Sequence, residues 1–114
     1  MSVDELFAAV PDWGACYLLT VSDDSRPHLL ALRPTVVADG GAAERVLRFD
    51  AGGGRACRNA AARPDVTLVF PPNAGSEGMS LVVDGTGVVD GAIVDVTPTS
   101  VVLHRKAPGE PGEV

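Results

Sequence analysis

Between Val46 and Phe70 the chain sets a strand-length apolar run, three consecutive glycines, a short helix of small residues and a second apolar run in immediate succession. Val46–Phe49 leads into Gly52, Gly53 and Gly54, which supply the positive φ that a tight turn needs. The helix expected over Arg55–Arg63 carries Arg55, Arg58 and Asn59 at spacings that share one face. Cys57, Ala60 and Ala61 give its other side small residues suited to docking on a sheet. Pro64 disfavours helical geometry at Arg63 and ends the helix, and Val66–Phe70 resumes as a strand. Strand, glycine turn, helix, strand is a compact way to aim backbone N–H groups and arginines at an anion. The same residues also fit a plain turn beside a solvated arginine face.

Charge singles out the same stretch. Residues 41–70 hold Arg45, Arg48, Arg55, Arg58 and Arg63 against Glu44, Asp50 and Asp65, whereas each flanking segment carries six acids and two bases. The one cationic region of a chain of net charge −6 therefore coincides with the glycine turn. That net charge argues against a general nucleic-acid or anionic-membrane binder, which would show a basic face. No apolar run reaches the roughly 20 residues of a membrane span, and Met1–Asp12 is acidic rather than signal-like, which points to the cytoplasm. Cys16 and Cys57 show neither a C-x-x-C nor metal-type spacing to His28 or His104, and read as free buried thiols.

The remaining elements follow in order. Ser2-Val3-Asp4-Glu5 offers an N-cap and an acidic first turn to a helix of about two turns that ends near Pro11. Ala15–Val21 is a continuous apolar run, read as a first strand buried on both faces. After the polar turn Ser22–Ser25, a second strand spans His28–Val37, with a bulge or strand end expected at Arg33-Pro34 because proline cannot donate to a ladder. A hairpin loop over Ala38–Ala43 returns it into Arg45–Asp50, so the first three strands read as an antiparallel meander. Pro71–Gly78 is a mobile loop, and Met79–Val89 a long strand whose Gly85 and Gly87 share a face, the mark of a bend or a close backbone approach. Ile93–Val96 and Val101–Arg105 follow as strands on either side of Thr97-Pro98. The expectation is one mainly β domain over residues 1–106, a small barrel with two short helices, and a flexible tail over 107–114.

Several motifs stand together in one order: Y-L-L-T-V with S-D-D-S-R-P, then H-L-L-A-L-R, L-R-F-D-A-G-G-G-R-A-C-R-N, A-A-R-P-D-V-T-L-V-F, L-V-V-D-G-T-G-V-V and V-T-P-T-S-V-V-L-H-R. From Tyr17 to Arg105 the chain thereby resembles the pyridoxamine 5′-phosphate oxidase-like family of flavin-binding split barrels. The resemblance implies a six-stranded split β-barrel that forms homodimers, with flavin mononucleotide (FMN) in the cleft between subunits and a flavin-dependent oxidoreductase activity. It places Ala31, Leu32 and Arg33 on the second-strand cofactor segment and Phe49, Asp50 and Ala51 at the end of the third strand. Gly54, Arg55 and Ala56 fall where the family commonly writes Ser-Arg-Lys, with Arg58 and Asn59 following on the helix. Position 56 is thus expected to face the phosphate. The family's hydroxyls near positions 51 and 54 and its lysine near 56 are here Ala51, Gly54 and Ala56. A deazaflavin is the variant coenzyme. No Ser/His/Asp, Cys/His or paired-carboxylate arrangement suggests hydrolysis, and no residue is singled out as catalytic. The thinned cradle and the scarcity of aromatics leave a second reading, a cofactor-free split-barrel homodimer with a binding or structural role.

Overall fold

Alternation of buried and exposed positions carries most of the chain into seven antiparallel strands, flanked by two helices. The computed structural model describes residues 1–38 and 45–105. Apart from Ala38, the hairpin loop expected over Ala38–Ala43 lies outside the described residues, as does the tail expected over 107–114. The elements are α1 (Val3–Trp13), β1 (Cys16–Val21), β2 (Pro27–Leu32), β3 (Thr35–Ala38), β4 (Arg45–Asp50), α2 (Arg55–Ala62), β5 (Asp65–Phe70), β6 (Met79–Asp90) and β7 (Ile93–Arg105).

The strands are ordered β2-β1-β5-β6-β7-β4-β3. The two edges of this sheet, β2 and β3, are consecutive in sequence and separated only by Arg33 and Pro34. One extended segment thus runs along both edges and closes the sheet through the covalent chain, which is the geometry of a split barrel. The count is seven strands rather than six because Pro34 has no N–H to give a ladder and breaks the second strand in two. The meander expected of the first three strands is accordingly two hairpins, β1–β2 and β3–β4, at opposite edges.

The inward positions form the core. Leu30, Leu18, Leu68, Val83 and Val101 make one cross-strand row, with Phe49, Phe70, Leu47, Leu81, Val94 and Val96 fully buried around it. Each such side chain contributes about 1.5–3 kcal/mol by leaving water. The helices stop the two ends. Leu6, Phe7 and Val10 of α1 enter the core, and Trp13 packs edge-on against Phe70 with ring centroids 6.3 Å apart. That contact explains why α1 continues past Pro11, beyond its expected end, to a cap at Gly14. Its start is a capping box, Glu5 N–H donating to Ser2 Oγ (3.0 Å) and Ser2 N–H to Glu5 Oε1 (2.7 Å).

The glycine pair in β6 marks a close backbone approach. A Cβ on Gly85 would lie 2.7 Å from Thr97 O and 2.8 Å from Val96 Cγ1, and one on Gly87 3.3 Å from Val94 Cγ1. The β6–β7 register slips between Asp84, opposite Ser100, and Gly85, opposite Pro98, so Thr99 is the extra residue of a bulge. That bulge absorbs Pro98, and β7 runs unbroken where two strands were expected. Gly87 N–H donates to Pro64 O at 2.8 Å, which continues the β5–β6 ladder by one residue and ties the end of α2 to β6.

Candidate functional site

The glycine turn is built as an open cradle. Ala51 N–H, at the end of β4, donates to Ala92 O (2.8 Å), which fixes where the turn begins. Gly52 and Gly53 have φ of 74° and 75°, and Gly52 N–H is held by Asp50 Oδ1 at 3.2 Å. A Cβ added at Gly52 or Gly54 would meet nothing within 4 Å, so the turn borders open space. Gly54 caps α2 with no side-chain acceptor, and the first turn holds no acid. The positive end of the helix therefore faces outward without an internal counter-charge. Arg55 and Arg58 are exposed beside it, with no ion-pair partner among the described residues.

Across from this helix stands the β1–β2 turn. Arg63 bonds Asp23 at 2.8 Å. The Asp24 carboxyl is held below its ordinary value, first by the Ser22 hydroxyl, with the Arg55 charge the smallest contributor. The described cradle is thus cationic on its helix side and acidic on its turn side.

The structure distributes the expected site residues unevenly. Asp50, Gly54, Arg55 and Arg58 surround the cradle. Phe49 and Ala51 point into the core, 0% and 8% exposed. Ala56 is 1% exposed: its side chain, expected to face the phosphate, enters the core because the buried face of α2 runs through Ala56, Cys57, Asn59 and Ala60. Asn59, expected beside the arginines, instead donates from Nδ2 to Thr20 Oγ1 at 3.1 Å in the interior. Ala61, expected on the docking side, is exposed. Leu32 is half-buried and Ala31 exposed on the outer surface of β2. Arg33 lies elsewhere, with its guanidinium against Gly14, where an added Cβ would come within 3.4 Å. It meets the C-terminal end of α1, where a cation is favoured. Leu32 pairs with Cys16 at the open end of the β1–β2 hairpin, whereas the end of α2 meets the hairpin at its turn, Arg63 against Asp23, so Arg33 lies at the far end of the hairpin from that contact. One copy of the chain does not bring Arg33 and Arg55 together.

A further feature is the outer face of the sheet. Ala31, Tyr17, Val69, Val82 and Val102 form one cross-strand row over β2, β1, β5, β6 and β7. The next row is Leu29, Leu19, Thr67, Asp84 and Ser100. Tyr17, Leu29 and Val102 are 43%, 56% and 52% exposed. β1 is buried on its inner face alone, not on both as its apolar run suggests. The signal lay in that run itself: a strand apolar on both sides needs cover on both sides. Asp84 is fixed at the polar end of this face by hydroxyls, Thr67 Oγ1 donating to Oδ1 (2.9 Å) and Ser100 Oγ to Oδ2 (3.3 Å).

No family model matches the chain. Two uncharacterized proteins, from Mycobacterium bovis and Mycobacterium tuberculosis, are each 38% identical to it over 118 residues, spanning 94% of this chain and 82% of the relative. Among solved structures, the FAD binding protein of Mycobacterium smegmatis is similar at a TM-score of 0.63 and 21% identity, over 89% of this chain and 91% of that one. A putative pyridoxamine 5′-phosphate oxidase from Listeria innocua is similar at a TM-score of 0.60 and 13% identity, over 88% and 95%. The heme storage protein HutZ of Vibrio cholerae is similar at 0.60 and 12% identity, over 89% and 93%. At these identities the solved structures speak to the fold.

Proposed function

We propose that this chain, whose fold is that of the pyridoxamine 5′-phosphate oxidase-like split barrels, is a homodimeric flavin-binding protein acting as an oxidoreductase, with FMN as the first candidate cofactor and a deazaflavin as the variant. The observation that carries this reading is the outer apolar row. A lone copy leaves Tyr17, Leu29 and Val102 in water on a continuous sheet face, and contiguous patches of that kind mark binding surfaces. A two-fold arrangement buries the same patch on both copies and forms a cleft at its margin. A flat, largely apolar ring system suits such a margin, and Ala31 lies on it.

The cradle fits the anionic end of the cofactor. Open space at Gly52 and Gly54, the uncovered N-terminus of α2 and two arginines without partners among the described residues are the donor set that a phosphate requires. Arg55 and Arg58 would hold it, with backbone N–H groups of the turn. When bound, the isoalloxazine supplies the redox chemistry, and the chain binds and orients it. Arg33 does not join that cradle from within the same copy.

The second reading, a cofactor-free homodimer, is favoured by one specific observation. The side chains of Ala51 and Ala56 are buried, so two positions at which the family uses polar groups present nothing to a ligand. The visible spectrum of the purified protein separates the readings. Flavin bands, with FMN binding weakened at least about tenfold by Arg55→Ala, agree with the first. A colourless protein that fails to bind FMN, a deazaflavin or heme sinks it, and a heme spectrum reassigns the cofactor.

A further inference from the structure

A groove at the other end of the molecule carries a second, independent site. Ala9, Asp12 and Trp13 of α1 face Asn73, Ala74, Gly75 and Ser76 of the β5–β6 connection across a volume of about 550 Å³, within the range of ligand pockets. Trp13, the chain's single tryptophan, is half-buried and braced edge-on against Phe70, so its ring is a fixed wall. Hydrogen bonds knit the loop wall, within the segment expected to be mobile. Asn73 N–H donates to Ser76 Oγ (3.0 Å), Gly75 N–H to Asn73 Oδ1 (2.9 Å), and Asn73 Nδ2 to Asp12 O (3.4 Å), which ties the loop to the helix.

These bonds decide the kind of ligand. The donors named on the loop wall, together with Ser76 Oγ donating to Asn73 O (3.0 Å), are directed at protein oxygens. The Asp12 carboxylate, exposed and without an ion-pair partner among the described residues, remains as an acceptor. It stands in the last turn of α1, which holds no basic residue, at the negative end of the helix. Arg33 approaches that end at Gly14 but does not line the groove. An indole beside a carboxylate that makes no ion pair among the described residues is the arrangement that holds a cation on an apolar body. We infer that this groove binds an organic cation, a protonated amine carrying an aromatic or alkyl group.

Trp13 reports directly on occupancy. Phenethylammonium, phenylethanol and phenylacetate are titrated against the full-length protein while its fluorescence is followed. The expected result is saturable change with the ammonium, at least about fivefold weaker change with the neutral alcohol, and none with the anion. Asp12→Asn, a surface substitution checked by thermal unfolding, lowers ammonium affinity about fivefold, and added salt lowers it further in the parent alone. Ala9→Phe, which fills the groove from its helix side, abolishes the response. A response to phenylacetate equal to that of the ammonium, an unchanged affinity in Asp12→Asn, or no saturation by any probe overturns the assignment. FMN added beforehand leaves the titration unchanged, so this result and the flavin reading stand or fall separately.

Discussion

Replacing Gly85 with alanine tests the β6–β7 crossing that shapes the barrel. The new methyl would sit 2.7 Å from Thr97 O and 2.8 Å from Val96 Cγ1, both nearer than van der Waals contact allows. Thr97 O is backbone, and Val96 is 0% exposed in the core, so neither yields by a simple rotation into solvent. Overpacking of this kind costs about 1–3 kcal/mol. Alanine also restricts the unfolded chain, which offsets about 0.4–1 kcal/mol. The net expectation is a loss of roughly 1–2 kcal/mol, or about 4–8 °C in Tm for a domain of this size. Gly87→Ala is the internal control. Its nearest neighbour is the Val94 methyl at 3.3 Å, with Pro64 O at 3.7 Å, so a small side-chain shift suffices and the loss should be below half as large. Urea and thermal unfolding of the two variants and the parent measure the order. If Gly85→Ala is as stable as the parent, or if Gly87→Ala is the worse of the two, the bulge does not bring Thr97 against Gly85 and the crossing is differently built.

Four further outcomes follow from the same geometry. Ala56→Lys, which a phosphate-facing position 56 would make a gain in FMN affinity, should instead destabilise the protein by about 1–3 kcal/mol, because position 56 is 1% exposed; tighter FMN binding with undiminished stability would restore the outward-facing reading. Leu29→Asp should convert the proposed dimer to monomer in sedimentation equilibrium while leaving the monomer folded, since position 29 is 56% exposed. Burial pushes the Cys16 thiol up to about 12 from 9.0, so in the folded protein it should resist alkylation at mildly alkaline pH and react on unfolding. The same shift makes stability pH-dependent: full below about pH 9, it falls by about 1.4 kcal/mol per pH unit as pH rises towards 12, because the unfolded chain ionises first; Cys16→Ala should flatten that slope.

Much of the fold was legible because it rests on local periods and on residues with few conformational options. Strand positions showed as alternation or short apolar runs. Pro34, Gly85 and Gly87 announced a break and a close approach through what their side chains lack. The failures share a cause, which is cooperation at a distance. Whether Pro98 ends a strand depends on a slip in register against Asp84 and Gly85, thirteen residues and more away in sequence. Whether Pro11 ends α1 depends on Phe70 holding Trp13. A proline states what its own residue cannot donate, but not whether a partner strand will bulge to accept it.

The site was harder to read, and the reason lies in the difference between position along a chain and direction in space. Arg55 and Arg58 fell where helical spacing put them, on an open face. Ala56 and Asn59 did not, because a helix of eight residues rotates about 100° per residue, and a small error in placing its seam exchanges core for solvent. The seam is set by Thr20, whose buried hydroxyl receives Asn59, and by Ala92, whose carbonyl accepts from Cys57 Sγ at 3.5 Å. Neither partner is signalled near the helix in sequence. Arg33 shows the same limit on a larger scale. It follows directly on the end of β2 at Leu32, at the end of the hairpin remote from its turn, where it meets Gly14. For Arg33 to reach an anion held by Arg55, a second copy of the chain would have to supply one of the two, across the face that Tyr17 and Leu29 leave uncovered. Any contribution of Arg33 to cofactor binding is therefore tied to dimerisation. On the proposed FMN-binding dimer, Arg33→Ala should weaken FMN binding and have no effect in the Leu29→Asp monomer, and an equal loss in both would place Arg33 in the cradle of its own chain.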